Sequence, residues 1–501
     1  MKMIDTIRDK LRNWLEIDRG LNPLTVRIIE TMDFEANCFK NRMWYRGDAS
    51  ELHQFYTQYD DMMGNTRFWQ AVATNGVDFR KIHTGLPALI IDTLIDIVFD
   101  DMNSYEFNNI EAQELWEAIE KEIPSDFFKE VFKEASYLGD GAIRFTFDSN
   151  VSNYPILEFY PADQVDFTYN RGKMQEIIFK LPYIFNSREY ILKEIHTEHS
   201  ISYELLGPEG TKESMINFPE LQNIQELKHE AKFWTAIPIF IGKSTKYKGR
   251  GKSLLDGKDD AFDSFDEAYS QWIEALRDNR TKTYIPEQMI PRDPNNGMLL
   301  KPSPFDGRFT QTKGMALEGE SPKLQVEQGE IDAEGLLASY TTALDQCLQG
   351  LISPSTLGID VKKMDNAEAQ REKEKATIST RNKLVRVAER VIPQVIISAL
   401  HIMDMVHQKP FTEYEVTCTF GEYANPSFES VVETVGKAKQ YGVMSNETVI
   451  DELYGDSKDD EWKKEEVARL NYIDGIQTEQ PVINEFDELD GQVPLEEDYG
   501  R

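Results

Sequence analysis

From Ile331 to Val406 the sequence reads as one helix, a short turn marked by Gly and Pro, and a second, much longer helix that changes character half way along. Ile331, Leu337, Tyr340, Leu344, Cys347, Leu348 and Leu351 recur at three- and four-residue spacing and make one apolar stripe on a 3.6-period element. Gly350 and Pro354 stop it. Asp365 and Glu368 then have capping-box spacing, which predicts a new helix start. The stretch from Glu368 to Arg381 holds Gln370, Arg371, Glu372, Lys373, Glu374 and Lys375, with almost nothing large to bury. Beyond it, Leu384, Val391, Ile392, Val395, Ile396, Leu400 and Met403 make the helix apolar on most sides. One half faces water and the other is packed inside. Pro393 removes a helical hydrogen bond in the apolar half and predicts a kink near Glu389. At 1.5 Å per residue over roughly forty residues the helix spans about 60 Å. That is too long for one compact domain and points to a transporting or channel-forming assembly more than to a catalyst. The plainer reading is a long core helix in a large α/β protein.

The 501 residues leave room for two to four domains. Leu86 to Phe99 is the most apolar run, but it is too short for a membrane span and is interrupted by Asp92 and Asp96. The first residues, to about 23, read as an amphipathic helix without a signal-peptide core, so a soluble intracellular product is expected. Cys38, Cys347 and Cys418 lie far apart and offer neither a disulfide framework nor a metal knuckle. With 55 Lys and Arg against 88 Asp and Glu, the formal charge of −33 excludes a general nucleic-acid binder. Most of that charge reads as ordinary solubilising surface. Repulsion of phosphates also suits a conduit past which DNA slides.

Helices are predicted around Arg80 to Met102, entered at Pro87, and at Glu111 to Lys121 and Phe127 to Leu138, while Asn41 to Tyr56 reads as a turn leading into a short helix. From Ala142 to about Ile241 the period becomes strand-like, and an antiparallel region of meandering hairpins is expected. Lys243, Lys246, Lys248, Arg250 and Lys252 form the one concentrated basic patch, suited to DNA phosphates, to a neighbouring subunit's acids, or to a solvated loop. A helix over 256–279 follows, then a β-rich insert to about Val326. Tyr414 to Phe420 reads as a strand, and helices are predicted at Ser427 to Gln440, Ser445 to Tyr454 and Asp459 to Leu470. Residues 478–501 read as an acidic, disordered tail.

Gly251, Lys252 and Ser253 follow an apolar strand as a P-loop would, but Lys246 stands where a Walker loop needs glycine. Nucleotide hydrolysis is therefore not expected. His196 and His199 fall on opposite faces of a strand and do not share a metal. Asp256, Asp259, Asp260, Asp263, Asp266 and Glu267 lack the order of a calcium loop and read as the solvated face of an amphipathic helix. A different class of function would use the Asp256–Asp266 carboxylates with magnesium in a metal-dependent nucleic-acid enzyme.

The order of these parts resembles the portal proteins of tailed bacteriophages, in the family that includes siphovirus portals of Gram-positive hosts. The likeness runs from about Asn41 to Leu470. It rests on KIHTGLP at Lys81–Pro87, SYLGDGAIRF at Ser136–Phe145, LEFYPADQVDFTYNRGKMQEIIF at Leu157–Phe179, the run from Gly251 to Pro286, and LDQCLQGLISPSTLGID at Leu344–Asp360. It implies an α+β portal fold: a wing over 24–255 and 365–421, stem helices at 256–279 and 328–351, a clip over 280–327, a tunnel loop over 352–364 and a helical crown over 422–477. It implies a homo-oligomeric ring, usually a dodecamer, at one capsid vertex. Viral double-stranded DNA passes through that ring, which is not an enzyme and needs no cofactor. The clip, with Tyr284, Arg292, Asp293, Asn295 and Asn296, would dock the large terminase and then the head-tail adaptor. The wing would meet the major capsid and scaffolding proteins. Ser353, Thr356, Lys362, Lys363 and Met364 would meet DNA at the constriction, and the acidic stem face would line the bore.

Overall fold

The structure is a computed structural model that describes residues 32–58, 67–71, 80–229, 232–279, 282–286, 292–295, 297, 309–312, 325–327, 330–359, 367–421, 428–454 and 460–473. The helix expected over 1–23, the tail over 478–501, Asn296, Lys362, Lys363, Met364 and Asp365 lie outside the described residues. Two compact units divide at Gly421.

The first unit opens on α1 (Phe34–Arg46) and α2 (Ala49–Gln58). Asp33 caps α1 by accepting from the Ala36 N–H, and Gly47, at φ 74°, ends it. The sequence predicts a turn from Asn41, yet α1 runs on to Arg46. Its polar residues Asn37, Lys40 and Asn41 are buried, because they meet carboxylates far along the chain. Helix α3 (Leu86–Phe99) starts with Pro87 in its first turn, as expected, and buries Ile90, Ile91, Leu94, Ile95 and Val98. After β1 (Glu106–Phe107), helices α4 (Ile110–Glu120) and α5 (Phe127–Leu138) fall within a residue of their sequence positions.

The strands then come in the expected order: β2 (Asp140–Thr146), β3 (Ile156–Pro161), β4 (Val165–Asn170), β5 (Lys173–Phe185), β6 (Arg188–His196), β7 (Ser200–Leu206), β8 (Lys212–Glu213), β9 (Leu227–Lys228) and β10 (Ala236–Phe240). They form two antiparallel sheets, a three-stranded one ordered β10-β2-β3 and a six-stranded one ordered β4-β5-β6-β7-β8 with β9 beside β7. Two-residue hairpins, Arg171–Gly172 and Asn186–Ser187, connect β4 to β5 and β5 to β6 with positive φ at both positions, the turn geometry that follows strand twist.

Helix α6 (Asp259–Asp278) leads to a small mixed sheet in which β11 (Lys282–Pro286) pairs parallel to β12 (Phe309–Thr312) and antiparallel to β13 (Gln325–Glu327). The sequence reading missed β12, whose FTQT carries little apolar signal. Helix α7 (Ala333–Leu348) follows, and α8 (Ala367–Val406) is a single 40-residue helix that continues through Pro393. Its second half buries Leu384, Ala388, Val391, Ile392, Val395, Ile396 and Leu400 completely or nearly so, against α3, α4 and β10. This is the centre of the core. The strand predicted over Tyr414–Phe420 shrinks to β14 (Val416–Thr417), paired with β1, and a bridge from Phe420 to Met102.

The second unit holds α9 (Phe428–Gln440), α10 (Asn446–Tyr454) and α11 (Asp460–Ile473), close to their predicted ranges. Helix α10 packs against both others, and the rings of Tyr454 and Trp462 meet edge to face at 5.0 Å.

Candidate functional site: a helix pair, its root and the turn beyond it

Helices α6 and α7 pack side by side. Tyr340 sits among Phe265, Tyr269 and Trp272, with ring centroids 5.0 to 6.1 Å apart. Lys258, just before α6, donates to the carbonyls of Gln346 and Gln349 at 2.8 Å each. Low numbers on one helix therefore meet high numbers on the other, and the pair is antiparallel. Lys258 also places its positive charge on the carbonyl end of α7, where orphan acceptors and the helix dipole favour it. At the opposite end Asp332 caps α7 by accepting from the Gly335 N–H at 2.9 Å.

The carboxylates of this segment root α6 in the body of the protein and do not form a solvated face. Asp256 accepts from the side-chain amides of Asn37 and Asn41 and from the Ser253 N–H, each at 3.0 Å. Asp259 pairs with Lys40 at 3.4 Å and Arg67 at 3.2 Å. Asp263, 7% exposed, accepts from the backbone N–H groups of Phe68 and Trp69. Asp266, 1% exposed, takes hydrogen bonds from Trp69 Nε1, His83 Nδ1, the Thr84 N–H and the Thr84 hydroxyl, at 2.6 to 3.3 Å. Burial pushes the Asp263 carboxyl up. Burial acts the same way on Asp259, but Lys40 and Arg67 outweigh it and hold that carboxyl below the usual range. Asp260 and Glu267 are the exceptions: the Asp260 side chain is 86% exposed and pairs with Arg67 at 2.7 Å, and the half-buried Glu267 accepts from Gln271 Nε2, one turn on in the same helix, at 2.9 Å. The expectation of an acidic face lining a bore is thus corrected for Asp256, Asp259, Asp263 and Asp266. Period 3.6 separates polar from apolar, but it cannot separate water from a shell of N–H donors.

The basic patch divides as well. Arg250 turns inward: its guanidinium pairs with Asp140 at 3.0 Å, donates to the carbonyls of Val165 at 2.6 Å and Ala162, and lies over the Phe34 ring at 3.8 Å. Asp140 is wholly buried, and burial pushes its carboxyl up to about 6 despite Arg250 and the Gly251 N–H. Lys243, Lys246, Lys248 and Lys252 stay exposed. The P-loop-like Gly251 has a steric role, since a Cβ there would lie 2.1 Å from the Gly139 carbonyl oxygen.

In the turn after α7, Ser353 is 1% exposed and its N–H donates to Thr377 Oγ1 at 2.8 Å. Thr356 lies 3.1 Å from the same hydroxyl. These contacts pin the turn to the polar half of α8, so Ser353 is an internal tether and the expected DNA contact is corrected at that residue. In the small sheet Tyr284 belongs to β11, and Asp293 accepts from the Asn295 N–H at 2.9 Å in an Asx turn beside the exposed Arg292. Among the described residues no group of three or more His, Cys, Asp or Glu is arranged to hold a metal ion, and no helix is long and apolar enough to cross a membrane.

Residues 36–471 match the family described as phage portal protein, SPP1 Gp6-like. The chain belongs to that family. One chain of the solved "Neck of native GTA particle computed with C12 symmetry" is similar to this portal protein at 15% identity, covering 73% of this chain and 89% of that one with a TM-score of 0.38. No curated protein sequence matches it. Within the portal protein, the anchors that sequence reasoning missed are Arg67, Trp69, His83 and Thr84. The last two belong to the KIHTGLP block, which signalled the family without revealing that it wraps the acidic helix. His196, set aside as a metal ligand, is wholly buried between Glu194 Oε1 and Thr235 Oγ1 at 2.7 Å each, where it braces the sheet.

Proposed function

We propose that this portal protein is the subunit of a homo-oligomeric ring, a dodecamer, enclosing a channel at one capsid vertex through which viral double-stranded DNA is packaged and later ejected. The observation that carries the reading is family membership over residues 36–471. The geometry supports it: an antiparallel pair, α6 and α7, is rooted in the packed body by Asp256–Asp266 and closed at its base by Lys258, with the β11–β13 sheet inserted between the two helices. In this reading the pair is the stem, 280–327 the clip, 352–364 the tunnel loop, 24–255 with 365–421 the wing, and 422–477 the crown.

The clip, with Tyr284, Arg292, Asp293, Asn295 and Asn296, docks the large terminase and then the head-tail adaptor, while the wing meets capsid and scaffolding proteins. The exposed residues of the pair include Asp260, Gln271, Ala338, Thr342, Asp345 and Gln349, which offer phosphates little to hold. Cyclic symmetry multiplies that weak surface around a bore and keeps the barrier to sliding low. Lys362 and Lys363 add local attraction at the constriction. Negative-stain images of the purified protein test the reading: rings with a central hole are expected, whereas a monomer that cuts DNA with magnesium overturns it.

A further inference from the structure

The loop 242–250, the β4–β5 hairpin tip and α8 surround an open cleft of about 810 Å³. That volume lies in the range of sites that take small ligands or the side chains of a short peptide. Its rim carries the side chains of Arg171, Lys243, Lys248 and Arg390, all exposed and, among the described residues, without an ion pair. Arg250 also lines it, with its side chain 10% exposed and its Nε buried without a hydrogen-bond partner. The lining includes no carboxylate. On a chain of net charge −33 this is a local reversal of sign. The floor is apolar, built by Phe240, Ile241 and Val387.

We propose that this cleft docks an acidic peptide segment of a partner protein, with carboxylates on the rim and one aliphatic or aromatic side chain on the floor. Both halves of the chemistry are needed. Carboxylates alone would satisfy the rim and leave the half-buried Phe240 of the floor uncovered, whereas an apolar segment alone would leave the cations unpaired. A nucleic acid fits less well. Its phosphates suit the rim, but single strands also stack bases on open aromatic faces. Here the Tyr169 ring is 41% exposed but is covered on one face by Gly249, where a Cβ would lie 2.9 Å from it, and the half-buried Phe240 ring lies 4.8 Å from Phe167, so neither offers two open faces to bases. The proposal does not rest on the ring reading.

The test uses the purified full chain and a short fluorescein-labelled peptide of Asp and Glu around one Phe, followed by fluorescence anisotropy. Saturable binding is expected, weakened about tenfold or more in the double variant Lys248→Glu, Arg390→Glu, whose exposed side chains leave the fold intact. Arg386→Glu, an exposed cation of α8 outside the cleft, is expected to bind as the unmodified chain does. Replacing the peptide's Phe with Ser is expected to weaken binding as well. Undiminished binding of the Ser peptide, or an equal loss in Arg386→Glu, reduces the cleft to diffuse charge and overturns the proposal. Displacement of the peptide by a lower concentration of single-stranded oligonucleotide would assign the cleft to nucleic acid. A change of oligomeric state in the double variant, read by mass photometry, would assign it to a second copy.

Discussion

The acidic run at Asp256–Asp266 and the basic run at Lys243–Lys252 lie side by side in the chain, and in sequence each looks like a charged surface. The fold treats them oppositely. It draws most of the acids inward, where backbone N–H groups, Asn37, Asn41, Lys40, Arg67 and His83 meet them, and leaves most of the bases outside. Arg250 is the one base taken in, and it is the one that finds a buried partner, Asp140. Whether a charge is interior depends on donors and acceptors that arrive from other parts of the chain. Arg also suits the interior better than Lys, because its planar fork reaches the Asp140 carboxylate and the Val165 and Ala162 carbonyls together.

The contrast is broken most sharply at Asp266. Asp266→Ala is expected to destabilise the first unit by about 3–5 kcal/mol, because it strands Trp69 Nε1, the Thr84 N–H and His83 Nδ1 in a buried site; denaturant unfolding reads the loss. A shift of under about 1 kcal/mol would mean that water reaches this face after all.

Acid titration sharpens the comparison next. Burial raises Asp140 to about 6 in the folded chain, above its ordinary value of 3.8. The folded state therefore binds more protons than the unfolded one between those values. Asp140's contribution is fully present below pH about 4 and is lost as pH rises through about 6, by roughly 2–3 kcal/mol in total. Unfolding midpoints measured across that window should show a fall that is absent in Asp140→Asn. An identical slope in the two proteins would refute the assignment.

The smallest effect belongs to the outer bases. Lys243→Ala and Lys252→Ala should each change stability by less than about 0.5 kcal/mol. A thermal-melt loss several times larger would show that these lysines, too, have interior work.

Much of the fold was legible because periodicity reports burial directly. Phe127–Leu138 and the apolar half of α8 declared themselves by spacing alone, and the hairpin strands by alternation. What failed was anything that depended on a distant partner. Asn41 looked like a turn residue because Asp256 is not visible from its neighbourhood. The P-loop was rejected at Gly251 on Lys246, but the reason for the glycine stayed hidden because its contact with Gly139 spans more than a hundred positions. Ser353 looked like a free tunnel residue because Thr377 was needed to show it tethered. The acidic segment was therefore read as a surface, whereas the fold buries Asp263 and Asp266 and gives Asp256 and Asp259 partners.

The long span between α1 and its carboxylate partners also sets a clock. Asn37 and Asp256 are 219 residues apart, and Trp69 and Asp266 are 197 apart. At 5–20 residues per second, the polar face of α1 waits roughly ten to forty seconds on the ribosome before the acids that satisfy it exist. Until then the amino-terminal helices cannot complete their packing. A copy truncated before α6 is therefore expected to leave Asn37, Lys40 and Asn41 without the carboxylates that satisfy them.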